Sequence, residues 1–194
     1  MRVLVACEES QVVCKAFRAK GHAAFSCDIQ GCSGDHPEWH IKDDVLLHLN
    51  DGWDLMIAHP PCTYLCNSGI RWLHEDDSRW AKMVFAADFF KDLLNCNIPR
   101  ICIENPIMHI YALDEIAKDK DQIVQPYYFG DNKSKETWLW LKNLPRLRST
   151  AELNLNNHID PEQEVFFISP GVDRPKIRSK TYGGLAAAMA DQWG

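Results

Sequence analysis

Two short motifs carry side chains that could act together on a small ring. Pro60-Pro61-Cys62 follows the apolar run at residues 53–58, and Glu104-Asn105-Pro106 follows the apolar run at residues 101–103. Both runs are typical of buried strands. Ligands bind at the carboxyl ends of the strands in an open parallel sheet, so we expect the thiol and the carboxylate just past two strand ends at one edge. A nucleophile beside a proton donor could attack a ring and protonate it.

Strand and helix signals alternate along the chain that must position these motifs. The patterns predict strands at residues 3–6, 23–27, 54–58, 101–103 and 138–141, and helices at about 10–20, 78–94 and 185–192. Residues 44–49 are expected to form a short strand or a helical turn. The alternation predicts an α/β fold with a mostly parallel sheet and right-handed crossovers. Trp138 and Trp140 alternate as strand residues do, so we expect them in the core.

Length and composition favour one domain over residues 1–194, with an irregular region at 143–176. The net charge of −6 argues against strong nonspecific binding of nucleic acid through bulk charge. No apolar run is long enough to cross a bilayer, and the first residues read as a strand rather than a signal peptide. The eight scattered cysteines are expected to be reduced thiols of a cytoplasmic protein.

The motifs and their order resemble the cytosine-C5 DNA methyltransferase family, in a small, phage-type form. Pro60-Pro61-Cys62, followed by Ser68-Gly69, is similar to the family's nucleophile loop, and Glu104-Asn105-Pro106 is similar to its Glu-Asn-Val segment. Thr181-Tyr182-Gly183-Gly184 resembles the C-terminal segment that folds back beside the first motif. The resemblance implies a Rossmann-like S-adenosylmethionine-dependent fold, with helices on both faces of a twisted sheet. It also implies cytosine-containing DNA as substrate and, if the gene is phage-borne, the cytoplasm of a bacterial host.

The resemblance assigns a role to each matching residue. Cys62 would add to C6 of cytosine so that C5 can attack a methyl sulfonium, and His59, adjacent to the motif, could lower the pKa of the thiol. Glu104 would hydrogen-bond N3 and the amino group of the base, and Asn105 would position the loop. The implied residues around S-adenosylmethionine are Cys7, Glu8, Asp28, Ile29, Asp44, Val45, Pro61, Tyr182 and Gly183. The residues implied at flanking phosphates are Lys133, Lys135 and Arg71, and no metal ion is implied.

Three segments depart from the family pattern. The first motif is glycine-rich in the family but reads Ala6-Cys7-Glu8-Glu9-Ser10 here, although glycine is what lets backbone approach a ligand closely. The family's Gln-x-Arg-x-Arg corresponds at best to Asp131-Asn132-Lys133-Ser134-Lys135, and lysine lacks the bidentate fork of arginine. The region before the C-terminal motif has about thirty residues, too few for a recognition domain of roughly 50. A partner protein could supply the missing recognition surface.

Other interpretations of the same residues stay open. Cys62 could be a buried structural thiol, Glu104 a structural carboxylate, and Asp28 and Asp44 strand-end caps. The substrate could be a free nucleotide or a single strand, or the chain could be a catalytically idle module that binds DNA or a partner. His36-Pro37-Glu38 before Pro61-Cys62 and Cys66 is similar in part to zinc nucleobase deaminases, but those cysteines are one residue too far apart. A separate zinc site would use Cys27, Cys32, His36 and His40.

Overall fold

A computed structural model describes residues 1–151, residue 162 and residues 180–194 of the chain. The strands are β1 (Arg2–Ala6), β2 (Ala23–Cys27), β3 (His40–Ile41), β4 (Leu55–Ala58), β5 (Arg100–Pro106), β6 (Gln122–Val124) and β7 (Thr137–Lys142). The α-helices are α1 (Val12–Ala19), α2 (Arg71–Glu75), α3 (Ser78–Asn95), α4 (Ile110–Ile116) and α5 (Gly183–Trp193). Short 3-10 turns lie at Pro37–Trp39, Val45–His48, Asn67–Gly69 and Pro126–Phe129.

All seven strands form one sheet in the order β3-β2-β1-β4-β5-β7-β6. Strands β1 to β5 run parallel, β7 is antiparallel to β5, and β6 is antiparallel to β7. The order of the first five strands is that of the doubly wound Rossmann sheet, so the predicted mostly parallel, Rossmann-like α/β fold is confirmed. The strand order reverses between β1 and β4, and this is where such sheets open a crevice for a ligand.

The core lies on both faces of the sheet because the central strands carry consecutive apolar side chains, at 3–6, 55–58 and 101–103, all of them buried. Val3 and Val5 of β1 pack with α1 and α5 on one face, whereas Leu4 and Ala6 pack with α3 and α4 on the other. These four side chains are completely buried. An apolar run without polar alternation is what a parallel strand covered on both sides requires. Because β1 and β4 are packed on both faces, the loops that follow these strands start from rigid positions.

Several boundaries differ from the sequence prediction. β5 continues to Pro106, because β7 pairs with it as far as Thr137 although β4 stops pairing at Ile103. Glu104 and Asn105 therefore lie in a strand, one and two residues beyond the end of its parallel pairing, rather than in a loop. The strand predicted from residue 54 begins at Leu55, and the short element predicted at 44–49 is the helical turn Val45–His48.

The shortest elements were not predicted: β3, β6, α2 and α4 each have at most seven residues and too few turns or alternations for a clear period. The periodicity of α3 predicts that Val84 lies on its buried face. Val84 is instead 38% exposed, and the neighbouring Met83 is buried. Trp138 and Trp140 are buried in the core as predicted. Most of the predicted irregular region at 143–176 lies outside the described residues, at 152–161 and 163–176. Among the described helices, none is long and apolar enough to cross a membrane.

Candidate active site

A cavity of about 290 Å³ opens at the carboxyl ends of the parallel strands. Its wall is formed by the segments that follow β1, β2 and β4, by the end of β5, and by the residues just before α5. Of the residues predicted from the sequence, the cavity is lined by Cys7, Glu8, Asp28, Pro61, Cys62, Glu104, Asn105 and Lys135. The other residues of the wall are Glu9, Ser10, Gln30, His59, Pro60, Thr63, Pro106, Lys180 and Thr181. The predicted nucleophile and the predicted base-binding carboxylate thus share one cavity.

The loop after β4 is held rigidly at both ends. The backbone N–H of His59 donates to the carbonyl oxygen of Ala6 at 2.9 Å, and the two prolines then fix two successive φ angles. Asn105 Nδ2 donates to the Pro60 carbonyl oxygen at 3.0 Å, which ties the end of β5 to the loop. Cys62 therefore faces the cavity from a short, braced segment.

Glu104 is held by two hydrogen bonds at the bottom of the cavity. His59 Nδ1 lies 2.7 Å from Glu104 Oε2, and the side chains of the pair are only 10% and 6% exposed. The Thr181 hydroxyl, from the segment before α5, donates to the same oxygen at 3.2 Å. This hydrogen bond connects two parts of the cavity wall that are 77 positions apart in the sequence.

The charges around this pair place a proton on the imidazole rather than on the carboxylate. Burial alone would raise the pKa of Glu104, but the His59 hydrogen bond, the charges of Lys135 and His59, and Thr181 lower it to about 2. Burial would likewise lower the pKa of His59, but the hydrogen bond and charge of Glu104, with Glu8 behind, raise it. His59 Nε2 is buried without a hydrogen-bond partner in the described part of the chain. The pair is therefore an imidazolium and a carboxylate that share one exchangeable proton.

The Cys62 thiol does not behave as the adjacent histidine led us to expect. Its hydrogen bond with Cys66, its burial and the neighbouring negative charges raise its pKa, and Lys135 offsets this only in part. His59 points its Nδ1 at Glu104 instead of at the thiol. The expectation that His59 lowers the pKa of Cys62 is therefore wrong, because the imidazole is already committed to the carboxylate.

The β1–α1 loop approaches the cavity with backbone of an unusual kind. Cys7 has a φ of 58°, a left-handed conformation that usually favours glycine. A glycine, as in the glycine-rich first motif described above, would adopt this conformation at position 7 without strain. Burial, followed by the charge of Asp28, raises the pKa of the Cys7 thiol, so this sulfur stays protonated.

Glu8 lines the cavity but also caps α1. Its two carboxylate oxygens accept the backbone N–H groups of Val13 at 2.7 Å and Cys14 at 3.2 Å. Such a cap satisfies donors that have no partner inside the helix. Burial raises the pKa of Glu8, whereas His59 and the two N–H groups oppose that rise. The amide groups at the start of α1 are therefore occupied by a side chain of the protein itself.

Asp28 is the predicted cofactor residue with the clearest geometry. It follows β2, lines the cavity, and accepts the Gln30 N–H through Oδ1 at 2.8 Å. Asp44 accepts the Leu46 N–H at 3.0 Å as the cap of the Val45–His48 turn, and its side chain does not line the cavity. Ile29 is 74% exposed beside Asp28, whereas Val45 is buried in the core.

The segment before α5 contributes to the cavity, but through the residues that precede the two predicted to bind the cofactor. Thr181 and Lys180 line the cavity, whereas Tyr182 and Gly183 do not and instead begin α5. A Cβ on Gly184 would lie 2.2 Å from the Phe129 carbonyl oxygen, so only glycine fits this crossing. The close approach lets α5 pack beside α1 and fixes Thr181 on Glu104.

The three predicted phosphate-binding residues separate in space. Lys135 lines the cavity. Lys133 forms an ion pair with Glu162 at 2.5 Å, and Arg71 stacks 4.2 Å over the ring of Trp72 on α2. Neither of these two side chains lines the cavity. Of the three, only Lys135 lies on the cavity that Cys62 and Glu104 also line.

Two residues of the site, His59 and Thr181, and the nearby Cys66 carried little or no signal in the sequence. His59 stood out only as a neighbour of the Pro-Pro-Cys motif, and nothing linked it to Glu104, 45 positions away. Thr181 belonged to a recognised motif without an assigned role. Cys66 stood out only through the zinc comparison. No group of three or more His, Cys, Asp or Glu side chains in the described ranges is arranged to hold a metal ion.

The residues of both zinc hypotheses make other contacts. The His36 ring stacks on Trp39 at 3.7 Å and lies 3.0 Å from Glu38. His40 lies within hydrogen-bond distance of the Ser26 hydroxyl and the Gln30 carbonyl oxygen. All eight cysteines are free thiols.

Fold and cavity together define a doubly wound α/β protein with a cavity at the switch point of its sheet, where such folds bind ligands. No family model matches the sequence, and no curated protein matches it significantly. A similar solved structure is a protein provisionally described as a DNA modification methyltransferase encoded within a prophage of E. coli. The TM-score is 0.48 at 15% identity, and the match covers 73% of this chain and 46% of that one. The chain thus spans less than half of that protein, and the residue roles below depend on the chain's own geometry.

Proposed function

We propose that this protein transfers a methyl group from S-adenosylmethionine to C5 of cytosine in DNA through a covalent adduct with Cys62. The single observation that carries the proposal is the convergence of Cys62 and Glu104 on one cavity, from the loop after β4 and from β5. A thiol and a hydrogen-bonding carboxylate on one cavity wall are the groups that addition to C6 of a pyrimidine requires.

The acidic lining discriminates between cofactors. A dinucleotide places its pyrophosphate on the first N–H groups of the helix after β1. Here the buried carboxylate of Glu8 already accepts two of those groups, so a phosphate would meet a carboxylate instead of free donors. S-adenosylmethionine has no phosphate and carries a sulfonium cation, which suits a wall containing Glu8, Asp28 and Glu104.

The residues that would hold this cofactor lie on the β1 and β2 side of the cavity. Asp28 follows β2 at about twenty residues from the β1–α1 loop, the position from which a carboxylate accepts ribose hydroxyls in Rossmann folds. Cys7, Glu8 and Pro61 would form the wall beside it, and the exposed Ile29 would cover the adenine. When bound, the cofactor supplies an electrophilic methyl group.

The cavity volume requires the two substrates to share the site closely. About 290 Å³ lies at the lower end of the range of roughly 300–1,000 Å³ for small-molecule sites. A base in duplex DNA would have to leave the stack to enter, at a cost of a few kcal/mol. Lys135 and Lys180 would offset the charge of the flanking phosphates at the mouth.

The protein's own groups then account for the movement of protons. The sulfur of Cys62 forms a bond with C6, and the displaced electron pair of the ring makes N3 basic. Glu104 hands a proton to N3 while His59 replaces it through their 2.7 Å contact. The bound cofactor would supply the methyl group to C5. The C5–H bond would then break with its proton passing to solvent, its electron pair would restore the C5–C6 double bond, and the pair of the C6–S bond would return to Cys62. The proton on N3 would return through Glu104 to His59. The ionised state of Glu104 is compatible with this role only because His59 holds the proton.

The test is transfer of a labelled methyl group to DNA followed by mass spectrometry of the nucleosides. We expect 5-methylcytosine with the wild type and none with Cys62→Ser. Cys96→Ser is the matched control, because this half-buried thiol lies after α3 and outside the cavity. No 5-methylcytosine from folded wild-type protein that binds the cofactor would refute the proposal.

A free nucleotide or a single strand as the substrate is a second candidate, favoured by the net charge of −6 and the small cavity. Parallel assays with dCMP, single-stranded and duplex DNA separate these substrates. Reaction of dCMP alone would show a nucleotide enzyme. Calorimetry with S-adenosylmethionine tests the idle binding module, which predicts partner binding without any methyl transfer.

A further inference from the structure

The cavity wall beside Asp28 contains a side chain that has no role in the reaction proposed above. Gln30 lies two residues after Asp28, lines the cavity and is exposed. Within the described part of the chain its side-chain amide makes no hydrogen bond, whereas both of its backbone groups do. An amide with free donors and a free acceptor, carried by a fixed backbone, is well suited to bind a ligand.

The backbone of Gln30 is held on both sides. Its N–H donates to Asp28 Oδ1 at 2.8 Å, and its carbonyl oxygen lies 2.9 Å from His40 Nε2. A carbonyl oxygen can only accept, so His40 Nε2 carries the hydrogen of this bond. His40 is the first residue of β3 and pairs in register with Ser26 of β2. The imidazole therefore ties Gln30 to the edge of the sheet.

A chain of hydrogen bonds continues from His40 into the core. His40 Nδ1 lies 2.9 Å from the Ser26 hydroxyl, and Gln11 Nε2 donates to the oxygen of that hydroxyl at 3.3 Å. Both Ser26 and Gln11 are completely buried. Gln11 Nε2 also donates to the His36 carbonyl oxygen at 2.8 Å, and Gln11 Oε1 accepts the His36 N–H at 3.2 Å. The loop between β2 and β3 is thus fastened at two points to buried polar groups.

The same loop packs directly on the loop between β1 and α1. A Cβ on Gly34 would lie 2.5 Å from both Gln11 Cβ and the Ser10 carbonyl oxygen, so only glycine allows this approach. The Ser33 N–H donates to the Glu9 carbonyl oxygen at 2.8 Å. These contacts make one rigid unit of the two loops that form this side of the cavity. A ligand that binds here meets side chains that are already in place, which lowers the entropy cost of binding.

The groups on this side of the cavity complement a vicinal diol. Each hydroxyl of a ribose can donate one hydrogen bond and accept others, whereas a carboxylate such as Asp28 can only accept. One Asp28 oxygen accepts the Gln30 N–H, and the other has no partner within the described residues. Gln30 is the one amide among the wall residues that follow β1 and β2. Its N–H groups supply the donors that the carboxylate lacks.

We propose that Gln30 is a further cofactor-binding residue, which hydrogen-bonds the ribose diol of S-adenosylmethionine together with Asp28, and that His40 positions it. This inference rests on the proposed function. Asp28 accepts from the diol, and the Gln30 amide donates to it. His40 touches no ligand and acts through the Gln30 carbonyl oxygen. The pair selects ligands with a complete ribose over their deoxy counterparts.

Calorimetry with S-adenosylhomocysteine and its 2′-deoxy and 3′-deoxy analogues tests Gln30 without any need for activity. We expect Gln30→Ala to weaken binding of S-adenosylhomocysteine about 3- to 10-fold, as for the loss of one hydrogen bond. The penalty for removing at least one of the two hydroxyls should fall to about zero in this variant. Asn97→Ala is the matched control, because this exposed amide does not line the cavity. Affinities of Gln30→Ala for all three ligands equal to those of the wild type would overturn the proposal.

Two substitutions of His40 test its positioning role. His40→Leu removes the bond to the Gln30 carbonyl oxygen, so KM for S-adenosylmethionine should rise about 3- to 10-fold with kcat at saturation unchanged. His40→Gln keeps a donor for that oxygen and should restore most of the affinity. An unchanged KM in His40→Leu, or no recovery in His40→Gln, would contradict the role of His40.

The results also separate this inference from the proposed function. Ribose-dependent binding that is lost in Gln30→Ala, in a wild type that transfers no methyl group, would support the inference and refute the proposed function. Methyl transfer by a wild type whose three affinities match those of Gln30→Ala would do the reverse. Folded wild-type protein that does not bind S-adenosylhomocysteine would refute the cofactor assignment and the inference together.

Discussion

Replacement of His59 by glutamine isolates the buried ion pair at the centre of the site. Glutamine can still donate a hydrogen bond to Glu104, but it removes the positive charge that lies 2.7 Å from the carboxylate. Because both side chains are at least nine-tenths buried, solvent cannot screen the loss. The variant therefore measures what the charge contributes, separately from the hydrogen bond.

The size of the effect follows from the pKa of Glu104. This pKa is about 2 rather than 4.5, and at about 1.36 kcal/mol for each pH unit the shift corresponds to about 3 kcal/mol. Lys135 and Thr181 account for part of that free energy. We expect His59→Gln to lower the free energy of unfolding by about 2–3 kcal/mol, just below the roughly 3–5 kcal/mol typical of breaking a buried pair.

The pH dependence of this loss has a defined shape. The contribution of Glu104 is present above its unfolded pKa of 4.5 and is lost as the pH falls toward about 2. The contribution of His59 is present below its unfolded pKa of 6.5 and is lost as the pH rises through its raised folded value. The difference between wild type and variant should thus be greatest between pH 4.5 and 6.5.

Urea unfolding at pH 4, 5.5, 7 and 9, followed by tryptophan fluorescence, measures this difference. His36→Gln is the matched control, because His36 and Glu38 form a similar pair at 3.0 Å with side chains 40% and 58% exposed. An exposed pair contributes at most about 1 kcal/mol. A loss in His59→Gln that is independent of pH, or no larger than in the control, would refute the reasoning. If His59 also stores the proton for N3, its replacement should lower kcat by about 10²-fold or more.

Three further substitutions test other parts of the site. Asp28→Asn should weaken S-adenosylmethionine binding at least about 10-fold in calorimetry, or about 1.4 kcal/mol, whereas Asp44→Asn outside the cavity should change it less. Lys135→Gln should weaken DNA binding and reduce the salt dependence by about one phosphate contact, but Lys133→Gln should not; equal effects would contradict the placement. Gly184→Ala should lower the melting temperature and methyl transfer together, since its Cβ would lie 2.2 Å from a carbonyl oxygen; an unchanged melting temperature would contradict the close crossing.

Local patterns in the sequence determined the frame of the molecule. Apolar runs of three or four residues, at 3–6 in β1, 55–58 in β4 and 101–103 in β5, identify central strands, because a strand covered on both faces admits no polar alternation. The period of α3 and the breakers after it set that helix almost to the residue. Because parallel strands end at one edge, the position of Cys62 after β4 and of Glu104 in β5 was enough to predict that they share a cavity.

Contacts between distant segments decided the chemistry within that frame. His59 and Glu104 are 45 positions apart and Thr181 and Glu104 are 77 apart, so no local period could have paired them. Lys133 and Lys135 are alike in the sequence, yet only Lys135 lines the cavity, because the fold pairs Lys133 with Glu162. Burial then fixed which groups carry protons, since the free energy of a charge depends on the solvent and partners around it, which only the packed tertiary structure defines.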